Sequence, residues 1–156
     1  MREDFSQRLA IAPRRSYVFP VPSRAGKRKI EFASHPGNLC LVRSFVRAFL
    51  DECKFTAAER DLVVLGLDEA CSNIIRHAYN HEQTRLITLS CENLATRVRF
   101  RLRDFGECAD PARMQGRPLD KVEPGGLGLH LIREAFDRVE YRLKKRGTEL
   151  VLSRGL

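Results

Sequence analysis

The sequence has no apolar run approaching the ~18–20 residues that a membrane-spanning helix needs, which excludes a transmembrane reading. The opening Met1-Arg2-Glu3-Asp4-Phe5 has none of the apolar stretch of a secretory signal, so the expected compartment is the cytoplasm. Five cysteines (Cys40, Cys53, Cys71, Cys91 and Cys108) form no Cys-x-x-Cys pair and are odd in number. That argues against a disulfide framework or a zinc knuckle and for free thiols in a reducing environment. No internal repeat is present. The body of the chain also lacks a marked charge excess. Eight basic residues among the first 29 face only Glu3 and Asp4, so six of the net +8 sit there and two remain for the other 127 residues. The basic excess belongs to a solvated extension, and no direct nucleic-acid binding is expected of the body.

What remains is an ordinary globular composition. The 156 residues are 43% hydrophobic and 31% charged, enough for one packed domain. Residues 1–27 contain Pro13, Pro20, Pro22 and Gly26 and read as a mostly irregular extension, with a short extended piece at Ser16–Phe19. The domain proper is expected over 28–156. Alternation from Lys29 to Ala33 predicts a strand, and Leu41, Val42, Phe45, Phe49 and Leu50 predict a helix over Leu39–Cys53. Thr56 and Glu59 form a capping-box pattern opening a second helix that runs to about Tyr79, with Val63, Leu67, Ala70, Cys71, Ile74 and Ala78 as its core stripe. Strands follow over Leu86–Cys91 and Arg97–Asp104, joined at Glu92-Asn93. The second alternates arginine with apolar residues, so its arginines face outward as a solvated sheet face or a partner contact. Glu107–Pro124 is an 18-residue stretch with three prolines and no apolar period. A helix over Leu129–Phe136 and strands Arg138–Lys144 and Thr148–Ser153 close the chain. Adjacent strands without intervening helices favour an α+β sandwich over a doubly wound fold.

Three places carry candidate chemistry. Glu69 and Asn73, four apart on one helix face and off its core stripe, suit a divalent cation and a general base; a solvated polar face has the same composition. Asp104-Phe105-Gly106 ends a strand with a carboxylate that can accept from an exocyclic amine and a glycine that lets a flat ring approach; it also reads as a plain turn. Pro124-Gly125-Gly126-Leu127-Gly128 precedes a helix and can present backbone N–H groups to an anion, or simply make a tight turn. It is neither a Walker loop nor a dinucleotide fingerprint. No His-Arg-Asp segment accompanies the Asp-Phe-Gly triplet, which excludes a eukaryotic-type protein kinase. His77 and His81 lack the glutamate of His-Glu-x-x-His and are not expected to bind metal.

In order and spacing, these segments resemble those of the bacterial anti-sigma-factor serine/threonine kinases, partner-switching members of the GHKL ATPase superfamily. Leu67–Tyr79, with Glu69-Ala-x-x-Asn73 and His77-Ala-Tyr79, is similar to the N box. Asp104-x-Gly106 is similar to the G1 box, Gly126-x-Gly128 to the G2 box, and Gly147-Thr148-Glu149-Leu150 to the last box. The resemblance covers about residues 28–156. It implies a two-layer Bergerat-type sandwich with a mixed, mostly antiparallel sheet covered by helices on one face, and an ATP lid over Glu107–Pro124.

The resemblance also implies roles. Asn73 would coordinate Mg²⁺ on the ATP phosphates. Asp104 would take the adenine amine, with Gly106 beneath the ring and Thr148 supporting it. Gly126, Leu127 and Gly128 would present N–H groups to the phosphates, and Glu69 would be the general base. The implied partners are an anti-anti-sigma-type (STAS) protein phosphorylated on serine and a sigma factor or other response regulator held in sequestration, with a homodimer as one assembly seen among relatives. The alternative is an ATP-binding sequestering module with little or no kinase activity. Some members carry a basic residue before the glycine segment; here that position is Pro124, and Lys121 is the nearest cation in the lid.

Overall fold

The computed structural model describes residues 18–21, 26–106 and 126–156. The lid expected over Glu107–Pro124, with Lys121 and Pro124, and the extension up to residue 17 lie outside the described residues. The elements in chain order are strand β1 (Val18–Val21), strand β2 (Lys27–Ala33), a short 3₁₀ turn (Pro36–Asn38), helix α1 (Leu39–Leu50), helix α2 (Ala57–Asn73), a π turn (Ile74–Ala78), strands β3 (Leu86–Leu94) and β4 (Arg97–Arg103), helix α3 (Gly126–Ala135), and strands β5 (Arg138–Leu143) and β6 (Thr148–Gly155). The strands form one sheet in the order β1-β2-β3-β4-β6-β5.

The fold is the α+β sandwich read from the sequence. One face of the sheet is apolar: Ile30 and Phe32 of β2, Ile87, Leu89 and Cys91 of β3, Val98, Phe100 and Leu102 of β4, and Leu150 and Leu152 of β6 are all buried. In β2, β3 and β4 they alternate with polar residues, as the period-two geometry of a strand requires, whereas in β6 Val151 between Leu150 and Leu152 is also apolar and buried. Against this face pack Val42, Val46, Phe49 and Leu50 of α1, Val63, Leu67 and Cys71 of α2, and Ile132 and Ala135 of α3. Phe100 holds the layers together, with edge-on contacts to Phe49 at 5.8 Å and Phe136 at 5.9 Å. Helix α2 starts at Thr56, whose hydroxyl accepts from the Glu59 N–H while the Glu59 carboxylate accepts from the Thr56 N–H at 2.8 Å, completing the capping box.

Three expectations need correction. Every described strand pair is antiparallel, so the sheet is not mixed among the described residues. The reason is topological. After α3 the chain enters the sheet at its edge as β5 and returns as β6 between β5 and β4, so no parallel neighbours arise. The β3–β4 turn falls at Ala95-Thr96 rather than Glu92-Asn93. Asn93 is held in the ladder opposite Val98 while its N–H donates to the Gly26 carbonyl at 2.9 Å, and Glu92 binds Lys27, Arg99 and Arg101. The short extended piece expected at Ser16–Phe19 is present as β1, which pairs Val18–Val21 with Lys29–Phe32. Finally, α2 ends at Asn73 and the chain continues as a π turn to Ala78, closed by a bond from the Tyr79 N–H to the Ile74 carbonyl at 3.0 Å. A π turn inside a helix is rare and concentrates at functional positions.

Helices α2 and α3 touch more closely than ordinary side chains allow. A Cβ on Gly66 would lie 2.6 Å from that of Ala135 and 2.9 Å from the Phe136 ring. Only glycine fits there. The close approach brings the first turn of α3 beside the last turns of α2, where the candidate site lies.

Candidate functional site

Glu69 and Asn73 project from one face of the end of α2, as their spacing requires. Both are partly buried. The backbone of Gly128, in the first turn of α3, lies directly against the Glu69 carboxylate: a Cβ at residue 128 would overlap its Oε1, Cδ and Cγ atoms. The structure therefore joins two of the predicted segments at one point, with an acid, an amide and a helix N-terminus side by side. Gly126 begins α3, and Leu127 after it is exposed. The first N–H groups of a helix have no intrahelical partner and lie at the positive end of its dipole, so the start of α3 is a setting suited to an anion.

The second cluster lies at the end of β4. Asp104 is buried, and its Oδ1 accepts from the Gly106 N–H at 3.0 Å, while its own N–H donates to the Thr148 carbonyl at 3.1 Å. Burial pushes the Asp104 carboxyl above the ordinary carboxylate value, against the pull of the Gly106 and Thr148 backbone hydrogen bonds and the Arg103 charge. Thr148 is also buried. Gly147 takes a positive φ of 72° and presses on the Asp104–Phe105 backbone, where a Cβ would overlap. Gly106 abuts the Ala78 carbonyl with no room for a side chain. Residues from β4, the β5–β6 turn and the π turn are thereby locked into one loop cluster.

The π turn connects the two clusters, since it starts after Asn73 and ends on Ala78 against Gly106. Its last neighbour explains the arrangement. The Tyr79 hydroxyl donates to the Leu86 carbonyl at 2.5 Å and accepts from the Phe105 N–H at 2.8 Å, bridging β3 to the Asp104 turn. Burial raises its pKa to about 12, keeping the phenol protonated. Asn80 and His81 then adopt positive φ values of 47° and 65°, which turn the chain away. His77 and His81 are exposed, and no three of His, Cys, Asp and Glu gather as a metal cage among the described residues.

Three residues at the site were not singled out from the sequence. In the sequence Tyr79 stands only as the last residue of the His77-Ala-Tyr79 motif. Arg103, read as one of several outward arginines, donates to the Asp104 carbonyl, to the Thr148 carbonyl at 3.1 Å and to the Arg146 carbonyl at 2.6 Å, with its guanidinium 4.4 Å over the Phe105 ring. Its place next to Asp104 was the available signal. Arg76 donates through Nη2 to Glu69 Oε1 at 2.7 Å and to Asn73 Oδ1 at 3.0 Å. Its spacing of seven and three from those residues was the corresponding signal.

The residues fit an adenine nucleotide with its metal. The buried Asp104 acceptor suits the amine of a purine and the α3 N-terminus suits phosphates, while Gly106 and Gly128 pack against the Ala78 carbonyl and the Glu69 carboxylate. A single amide oxygen at Asn73 suits Mg²⁺, which keeps water and phosphate ligands rather than an all-protein cage.

An antiparallel sheet covered on one face by helices, with an acid–amide helix end facing a glycine-started helix and a buried strand-end aspartate, has the layout of a GHKL-like α+β sandwich. Within it, the profile of the histidine kinase-like ATPase domain matches residues 32–154, and the chain belongs to that family. It is similar to the serine/threonine-protein kinase BtrW of Bordetella bronchiseptica, 29% identical over 64% of this chain and 73% of that protein. It is also similar to the anti-sigma F factor of Clostridium novyi (24% identical, 83% and 94%) and the serine-protein kinase RsbW of Bacillus velezensis (22%, 72% and 75%). Among solved structures, the RsbU and RsbW domains of Rv1364c from Mycobacterium tuberculosis share the fold with a TM-score of 0.60 at 18% identity, over 86% of this chain and 33% of that one.

Proposed function

We propose that the chain is an ATP- and Mg²⁺-dependent serine/threonine protein kinase of the partner-switching kind, which phosphorylates a serine of an anti-anti-sigma-type (STAS) protein and sequesters a sigma factor or similar regulator in the cytoplasm. The observation that supports this reading is the seat of Gly128 on the Glu69 carboxylate beside Asn73, an acid and an amide next to the start of helix α3. The kinase names of the relatives and the family match support it. No described helix is long and apolar enough to cross a membrane.

The bound nucleotide supplies the γ-phosphoryl group and, with its metal, the charge neutralisation that phosphoryl transfer needs. Asn73 would ligate the metal through Oδ1. Asp104 would accept from the adenine amine, with Gly106 under the ring and the buried Thr148 backing the carboxylate. Gly126, Leu127 and Gly128 would offer N–H groups to the phosphates. Glu69 would accept the proton of the partner's serine hydroxyl as that oxygen attacks, a role that depends chiefly on position.

Incubation with radiolabelled ATP, Mg²⁺ and a purified STAS-domain protein tests the proposal. The wild type is expected to label the partner on serine and Glu69→Gln to bind nucleotide yet label it about 10²–10⁴-fold more slowly. Equal labelling by both would remove Glu69 from the role of base. Nucleotide binding and partner capture without labelling would establish the sequestering module instead.

A further inference from the structure

Helices α2 and α3 approach each other at two points: Gly66 meets Ala135 and Phe136, and Gly128 meets the Glu69 carboxylate. These two approaches fix which flank of each helix borders the other. At about 100° per residue, Leu62, Leu65 and Glu69 fall on the outer flank of α2 beside the crossing, and Leu127 and Leu131 on the outer flank of α3. Their burial agrees. Leu65 is 52% exposed and Leu127 72%, while Leu62 and Leu131 are half-buried. The seam between the helices is therefore open to solvent and bordered by leucines, with the proposed base at the end where Gly128 sits. The opposite flank of α2 differs, being tied to α1 by the ion pairs Arg43–Asp68 and Arg47–Asp61.

A single exposed leucine is ordinary on a protein surface. Two that flank a catalytic acid are different, because what must reach that acid is a protein. A serine hydroxyl gives up its proton only from within about 2.6–3.2 Å of the carboxylate. Glu69 is itself partly buried between α2 and α3, so the chain that carries the serine has to lie on the helices bordering it. The centre of a protein contact favours apolar side chains over charged ones, and the seam offers them beside Glu69. We propose, on the basis of the kinase reading above, that the α2–α3 seam is the docking surface for the phosphoacceptor protein. An apolar side chain next to the partner's serine seats on Leu65 and Leu127, with Leu62 and Leu131 as the walls, and this contact guides the hydroxyl to Glu69. Leu65, one helical turn before Glu69, is then a specificity-determining residue that acts on the affinity for the partner and not on the nucleotide.

Initial labelling rates over a range of concentrations of the STAS-domain protein used above, at saturating ATP and Mg²⁺, test this on the full chain. The proteins compared are wild type, Leu65→Gln, Leu65→Met and Leu41→Gln. Glutamine keeps the helix propensity of residue 65 and removes its apolar surface. Leu65→Gln is expected to raise the KM for the partner about tenfold, with kcat and ATP affinity at their wild-type values. Leu65→Met keeps the KM within about twofold of wild type. Leu41→Gln, which alters an exposed leucine of α1, leaves it unchanged. An unchanged KM in Leu65→Gln, or an equal rise in Leu41→Gln, overturns the inference and leaves Glu69 as the base. Weakened ATP binding by Leu65→Gln with the partner KM unchanged assigns the seam to the nucleotide site and overturns it as well. If the wild type captures the partner without labelling it, only the kinase reading fails. The partner's dissociation constant then serves as the readout: a tenfold rise in Leu65→Gln upholds the seam, and no change overturns it. A wild type that neither labels nor binds the partner overturns both.

Discussion

The carboxylate of Glu69 fills the space that a side chain at residue 128 would need, so the acid on α2 and the glycine on α3 are fitted to each other. The glycine-rich segment is therefore more than a tight turn before a helix. Its first helical turn is shaped around the proposed base, and Gly66 against Ala135 holds the two helices at the required separation.

Gly128→Ala follows from this relationship. The new methyl meets the far end of a flexible side chain, so Glu69 swings aside and the fold survives. The melting temperature is expected to stay within about 2 °C of wild type, since alanine also favours the helix by ~1 kcal/mol. Phosphoryl transfer is expected to fall about 100-fold through misplacement of the carboxylate. A variant with wild-type turnover would show that Glu69 position is immaterial.

Asp104 sets stability against binding. Its carboxyl titrates higher in the folded protein than in the unfolded chain, so the native state binds more protons in between. Stability is therefore lost as pH rises from the ordinary carboxylate value of ~3.9 through the raised native one, and stays lower beyond it. Asp104→Asn removes that loss. Thermal melts of both proteins should show the difference between variant and wild type growing in favour of the variant from about pH 3.5 to neutrality. Adenine nucleotide binding by the variant should weaken at the same time. A pH-independent difference would contradict the assignment.

Tyr79→Phe leaves the Leu86 carbonyl and the Phe105 N–H without their shared partner. The expected destabilisation is ~2 kcal/mol, a drop of about 4–8 °C in melting temperature. Because Phe105 follows Asp104, nucleotide affinity should fall with it. A melt within 1 °C of wild type, at about the limit of measurement, would show that the hydroxyl bridge adds nothing.

Thr56→Ala is the matching control. It removes the hydroxyl that accepts from Glu59 at the far end of α2 and should lower stability by ~1 kcal/mol. Nucleotide affinity should remain at the wild-type value, separating general destabilisation from damage to the site. A fall in affinity as large as that of Tyr79→Phe would remove the distinction.

Local chemistry made much of this legible in the sequence. The Thr56–Glu59 capping box, the arginine–apolar alternation of β4 and the turn at Gly147 are short-range patterns, and each has the structure its residues prescribe. Glu69 with Asn73, and Asp104 with Gly106, were readable because their spacing alone puts them together. The departures all arise from contacts between distant residues. The β3–β4 turn moves because Gly26 claims Asn93, and the helix opens into a π turn where Tyr79 reaches Leu86 and Phe105. Arg103 and Arg76 look like solvated charges until the carbonyls and carboxylate they hold are placed around them.

The central claim is that the end of α2, the start of α3 and the Asp104 turn make one site for an adenine nucleotide. Calorimetric titration of the whole chain with ATP and Mg²⁺, beside Asp104→Ala, tests it most directly. Saturable one-to-one binding by the wild type, lost in Asp104→Ala, is the predicted result; no heat from the wild type, or equal affinity in the variant, would contradict it.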